Sequence, residues 1–137
     1  MTKKILCATD GANHSAHAIE LAAEMSAKLG ANLSICTVNV AHGGARGPPI
    51  YSMDDAEVKK VLDDAAATAR KAGAKNVDEI ALRSREAAAA IVQYAEENGY
   101  DHIVTGTGDK HGVSRLMLGS VAADVTSRAH CTVTVAR

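Results

Sequence analysis

Apolar and polar positions along the chain form two alternating kinds of segment. From Lys4 to Thr9 (KILCAT) the apolar residues are nearly continuous, as in a short buried strand. From His14 to Leu29 they recur at helical spacing, at Ile19, Ala22, Ala23 and Ala27. Gly30 ends that helix, and Asn32 to Val40 (NLSICTVNV) is a second β-rich run. Ala41 to Ser52 holds both prolines and three of the eleven glycines, which predicts a mobile surface loop. Helical spacing resumes from Met53 to Ala72, with Val58, Val61, Leu62, Ala65 and Ala69 on one side and mainly charged residues on the other, until Gly73 stops it. Asn76 to Arg83 reads as a third strand. Ser84 is placed to cap a helix running through Ala87 to Glu97, which Asn98-Gly99 ends. Asp101 to Gly106 is a fourth strand, Ser120 to His130 a fourth helix, and Cys131 to Ala136 a last strand.

Strands alternating with helices predict an α/β fold whose parallel sheet is covered on both faces. Right-handed crossovers make a doubly wound five-stranded parallel sheet of order 3-2-1-4-5 the expected topology. At 137 residues, with no internal repeat, a single domain over 1–137 is expected. In such a sheet ligands bind where the winding reverses, between the first and fourth strands, at their carboxyl ends. That rule selects Ala8-Thr9-Asp10-Gly11 and Thr105-Gly106-Thr107-Gly108-Asp109, two polar, glycine-bearing segments.

Composition narrows the ligand. Of the 47% hydrophobic residues, 27 positions are alanine, and there is no Phe or Trp and only three Tyr. Little aromatic surface is available to stack single-stranded bases or a flavin. A balance of 15 Lys+Arg against 16 Asp+Glu, with no charged block, argues against nucleic acid and anionic membrane as partners. No apolar run is long enough to span a bilayer, and Thr9-Asp10 interrupts the first run short of a signal-peptide core. Three well-separated cysteines, Cys7, Cys36 and Cys131, with no CxxC pair, suit a cytoplasmic setting and read as small buried hydrophobes. His14 and His17 lie three apart, but no acid or cysteine completes a metal set, so no metal site is expected.

The most informative segment is Gly106-Thr107-Gly108-Asp109-Lys110-His111-Gly112, followed by Gly119-Ser120 at a helix start. Glycines let main-chain N–H groups approach an anion, and the helix N-terminus adds the positive end of its dipole, so a phosphate suits this loop. A ligand-free glycine turn joining strand to helix explains the same composition. Neither a P-loop, a phosphoacceptor receiver domain nor a flavodoxin-type carrier matches: Gly-Lys-Ser/Thr is absent, Asp10 has no acidic neighbour, and Asp10-Gly11-Ala12-Asn13 is not a hydroxyl-rich phosphate loop. Asp10 is also placed to cap the first helix.

With these residues the chain resembles the universal stress protein family over essentially its whole length. The family pattern near the fourth strand is Gly, two residues, Gly, nine residues, Gly, then Ser or Thr. Gly106, the nine residues Lys110 to Leu118, Gly119 and Ser120 fall in register, while Asp109 stands at the second glycine with Gly108 one place earlier. Lys4-Ile5-Leu6 with Thr9-Asp10, and Tyr94-Ala95-Glu96-Glu97, also match. The resemblance implies the adenine-nucleotide alpha-hydrolase-like form of the doubly wound sheet, a stress-response role, and an adenine nucleotide, ATP with or without Mg²⁺, as ligand. By the same resemblance Ala8, Thr9 and Asp10 face the ribose or adenine side and Val40 frames the base. Gly106, Gly108, Gly119, Ser120 and Val121 then hold ribose and phosphates, and Asp109 stands beside them in the same site. It further implies a homodimer paired through Cys131 to Ala136, an edge of alternating Thr and Val without Pro or charge. Catalysis is expected to be slow or absent, since His111 is the one titrating candidate near the loop. The alternative is a nucleotide-free dimeric interaction protein whose glycine loop is structural.

Asp109 adds a negative charge beside a polyanion. At about 6 Å and an effective dielectric near 20 the repulsion is about 2–3 kcal/mol before screening, or about 1 kcal/mol net. Asp109→Gly is therefore expected to tighten ATP several-fold in titration calorimetry, with a smaller gain for AMP; weaker Mg-ATP binding would instead identify the carboxylate as a metal contact.

Overall fold

In the computed structural model, which describes residues 1–108 and 118–137, the elements follow the expected alternation. They are β1 (Lys4–Ala8), a 3₁₀ turn (Asn13–Ser15), α1 (Ala16–Leu29), β2 (Asn32–His42), β3 (Ile50–Tyr51), α2 (Asp55–Lys71), β4 (Val77–Ser84), α3 (Ala87–Glu97), β5 (His102–Gly106), α4 (Ser120–Arg128) and β6 (Thr132–Ala136). Parallel pairing runs β4-β2-β1-β5-β6, which is the expected 3-2-1-4-5 order once the short β3 is set aside. Asp109, Lys110 and His111 lie outside the described residues.

The sheet is covered on both faces because its strands are apolar on both. Ile5, Cys7, Leu33, Ile35 and Val104 pack with Ala18, Ile19, Ala22 and Ala23 of α1 and Val58, Leu62, Ala65 and Ala69 of α2. Leu6, Ala8, Cys36 and Ile103 pack on the other face with Ala88, Ile91, Val92 and Ala95 of α3 and Val125 of α4. Small alanines on the helices let them sit close to a sheet built from larger aliphatic side chains. Burial pushes the Cys7 thiol up to about 12 and raises that of Cys36 as well, so both behave as the expected apolar fillers; Cys131 is only partly buried.

Several local expectations are corrected. The 41–52 segment is not all loop: β2 continues to His42, and Ile50–Tyr51 folds back antiparallel upon it, giving a mixed sheet with a sixth strand. Arg83 secures this hairpin, stacking 4.8 Å from the Tyr51 ring centre and pairing with Asp55 at 3.0 Å. Ser84 does not occupy the cap position of α3, because it is still paired with Val40 in the sheet; the cap residue is Glu86, whose N–H donates to the Ser84 hydroxyl at 3.1 Å. Nor does Asp10 cap α1, since the 3₁₀ turn intervenes; its carboxylate accepts from the Ala12 N–H at 2.9 Å, an Asx turn. Ala27 is exposed, and Ser26 is buried in its stead, its hydroxyl donating to the Ala31 carbonyl at 2.6 Å.

At the top of the α1/α2 face Asn39 is 2% exposed, and its amide closes two hydrogen bonds with the Met53 backbone, at 2.8 and 2.9 Å. This buried pair brings the chain from the hairpin into α2, where Asp54 and Glu57 form a capping box.

Candidate functional site

The winding reversal opens a gap in the covering layers. α1 follows β1 onto one face, whereas α4 covers the other, so neither closes the space above the carboxyl ends of β1 and β5. A cleft of about 410 Å³ occupies it, within the range of small-molecule sites.

Its wall divides by chemistry. Ala8 of β1, Val38 and Val40 of β2, and Ala87 and Ile91 of α3 make an apolar side. Gly106, Thr107, Gly108, Gly119, Ser120, Val121 and Ala122 make a backbone-rich side, while Asp10, Thr9, Ser15 and Thr105 line the floor between them. Of the residues selected from sequence, Ala8, Thr9, Asp10, Val40, Gly106, Gly108, Gly119, Ser120 and Val121 all reach this one cleft. Asp109 lies outside the described residues.

Two glycines shape the backbone-rich side. Gly108 has φ +91°, a left-handed backbone conformation that glycine adopts without steric cost. Gly119 approaches the strand end so closely that a Cβ there would stand 2.5 Å from the Thr107 carbonyl oxygen. That approach lets the Gly119 N–H donate to the Thr107 carbonyl at 2.9 Å, and the Thr107 N–H donates in turn to Ala136 of β6 at 3.2 Å. Gly119 is the cap residue of α4, with no side-chain cap, so the first turn of the helix faces the cleft at Ser120, Val121 and Ala122. A helix N-terminus so placed favours an anionic group.

Asp10 is the one ionisable side chain in the described wall, and no metal cluster of His, Cys, Asp or Glu occurs among the described residues. Asp10 is the carboxylate of the described wall that could hold a cation. The His17 ring bonds the Arg137 carbonyl at the far end of the chain; the His14 side chain lies outside the described part.

Sequence reasoning missed Val38, Ala87, Ile91, Ala122 and Ser15. Val38 was within reach, since it shares a strand face with Val40 at a spacing of two, and Ala87 and Ile91 share a helix face at a spacing of four. Nothing local pointed to Ser15, which joins the cleft only through the fold of the β1–α1 loop.

Fold and cleft together define a doubly wound α/β protein with an open cleft at its winding reversal. The chain belongs to the universal stress protein family, whose pattern matches residues 1–137. It is 32% identical to the universal stress protein Rv1636 of Mycobacterium tuberculosis over 134 residues, covering 93% of this chain and 90% of that protein. It is 31% identical to the universal stress protein YxiE of Bacillus subtilis over 150 residues, covering both chains in full. Among solved structures, a universal stress protein in complex with cAMP superposes with a TM-score of 0.80 at 25% identity, covering 99% of this chain and 97% of that one. The universal stress protein of Archaeoglobus fulgidus in complex with dAMP gives 0.77 at 27% identity, covering 98% of both.

Because the Gly119 contact is with backbone, Gly119→Ala must displace the start of α4. Urea unfolding is expected to show a loss of about 1–3 kcal/mol; an unchanged midpoint would mean that the turn tolerates a side chain.

Proposed function

We propose that the cleft between β1 and β5 binds an adenine nucleotide, with ATP as the physiological ligand. The observation that carries this reading is the meeting, in one cleft, of an apolar slot, a carboxylate and a glycine-lined helix N-terminus, the three chemistries that base, ribose and phosphate require. Ala8, Val38, Val40 and Ile91 enclose the base, whose burial replaces water against aliphatic surface. Asp10 accepts from the ribose. Gly106, Gly108, Gly119, Ser120 and Val121 receive the phosphates through main-chain N–H groups and the Ser120 hydroxyl. The structural relatives holding cAMP and dAMP support the adenine nucleotide as a class. Mg²⁺ accompanying the phosphates would be bound chiefly by their oxygens.

In this reading the protein acts by binding, with turnover slow or absent, and Asp10, the ionisable side chain of the described lining, serves the ribose. A cytoplasmic stress-response role fits a family member with three free thiols, in which no helix among the described residues is long and apolar enough to cross a membrane. A second copy pairs along β6, which forms the sheet edge next to β5. Light scattering is expected to return a dimer at micromolar concentration; a stable monomer contradicts this assembly.

A mass spectrum of small molecules released by denaturation after gentle purification tests the ligand. An adenine nucleotide in near-stoichiometric amount is expected, whereas protein that is empty and takes up none on addition is a nucleotide-free interaction protein.

A further inference from the structure

Two hydroxyls form a partition behind the cleft. Thr9 and Ser15 line both the cleft and a smaller hollow of about 210 Å³, bounded on its far side by Lys60, Val61 and Asp64 of α2. They are 6% and 5% exposed, and their oxygens stand 2.8 Å apart.

The direction of each hydrogen bond follows from its neighbours. The Ser15 hydroxyl donates to the Ala12 carbonyl at 2.7 Å, so its one proton is committed. The bond between the two hydroxyls therefore takes its proton from Thr9. Thr9 Oγ1 in turn accepts from the Gly11 N–H at 3.1 Å. The relay begins at the Gly11 amide and ends at the Ala12 carbonyl, spanning the residues that follow Asp10, whose own carboxylate accepts the Ala12 N–H.

We propose that Thr9 and Ser15 are positioning residues of the nucleotide site: their relay holds the Gly11-Ala12 turn, and with it Asp10, in the geometry the ligand meets. The proposal rests on the nucleotide reading and revises the part given to Thr9 from sequence, because its proton already belongs to Ser15. A free loop would be ordered only on binding, at a cost in affinity, whereas the relay orders it beforehand.

Titration calorimetry of the full chain with AMP, combined with amide exchange, tests this. Ser15→Ala and Thr9→Val are each expected to weaken AMP about fivefold, the scale of one lost hydrogen bond. Thr9→Ser, which keeps the hydroxyl, restores most of the Thr9→Val loss. In an Asp10→Ala background the added effect of Ser15→Ala shrinks to less than about twofold, as coupled residues require. Amide exchange at Gly11 and Ala12 quickens in folded Ser15→Ala while β1 keeps its protection. An equal cost with and without Asp10, or unchanged exchange at Gly11 and Ala12, overturns the positioning role alone. Failure of the unaltered protein to bind AMP overturns the nucleotide reading, and the positioning role with it.

Discussion

The cleft depends on how closely Gly119 approaches the carbonyl of Thr107. Three pieces of chain meet there: the end of β5, the start of α4 and, through the Thr107 N–H, the end of β6. A side chain at Gly119 would push α4 away from the strand end and carry Ser120 and Val121 off the cleft wall. The sheet order creates the gap, because α1 and α4 cover opposite faces. This single backbone contact decides that the gap is lined by a helix N-terminus.

The two halves of the cleft are supported differently. Its apolar half continues the α3-side core, so Ala8, Val38 and Ile91 belong both to the packing and to the cleft wall. Its polar half stands on turns and a short hydroxyl relay, which bury little and are held by direction-specific bonds. The first half is hard to change without unfolding the protein, while the second can be altered with the core intact. Differences in ligand preference are therefore expected to arise in the polar half.

Much of the fold was legible because buried parallel strands write themselves as short apolar runs. Ile5 to Ala8 and His102 to Val104 are such runs, apolar residues at helical spacing marked α1 and α2, and Asn98-Gly99 marked the end of α3. Legibility failed where the deciding partner is distant in sequence. Pro48-Pro49 announces a turn, but the Ile50–Tyr51 pairing depends on β2 running on to His42 and on Arg83 reaching across. Ser84 looked like a cap, yet its pairing with Val40 keeps it in the sheet. Ala27 stood in the apolar spacing of α1, yet Ser26 is buried in its stead, because the nearby Ala31 carbonyl accepts its hydroxyl. In the site, Asp10, Gly106 and Gly108 could be read from chain order and winding, and Gly119 from the glycine motif that precedes a helix start. The hydroxyl relay could not, since Thr9 and Ser15 meet only after the intervening loop has folded.

An adenine nucleotide that spans both halves of the cleft must perturb both at once. An amide-resolved nuclear magnetic resonance titration of the full chain with AMP tests this directly. Saturable shifts are expected at Asp10, Val40, Gly108, Ser120 and Val121, with the β3 hairpin and the α1/α2 core unmoved. A spectrum that stays still at millimolar AMP, or shifts gathered on another face of the sheet, would contradict it.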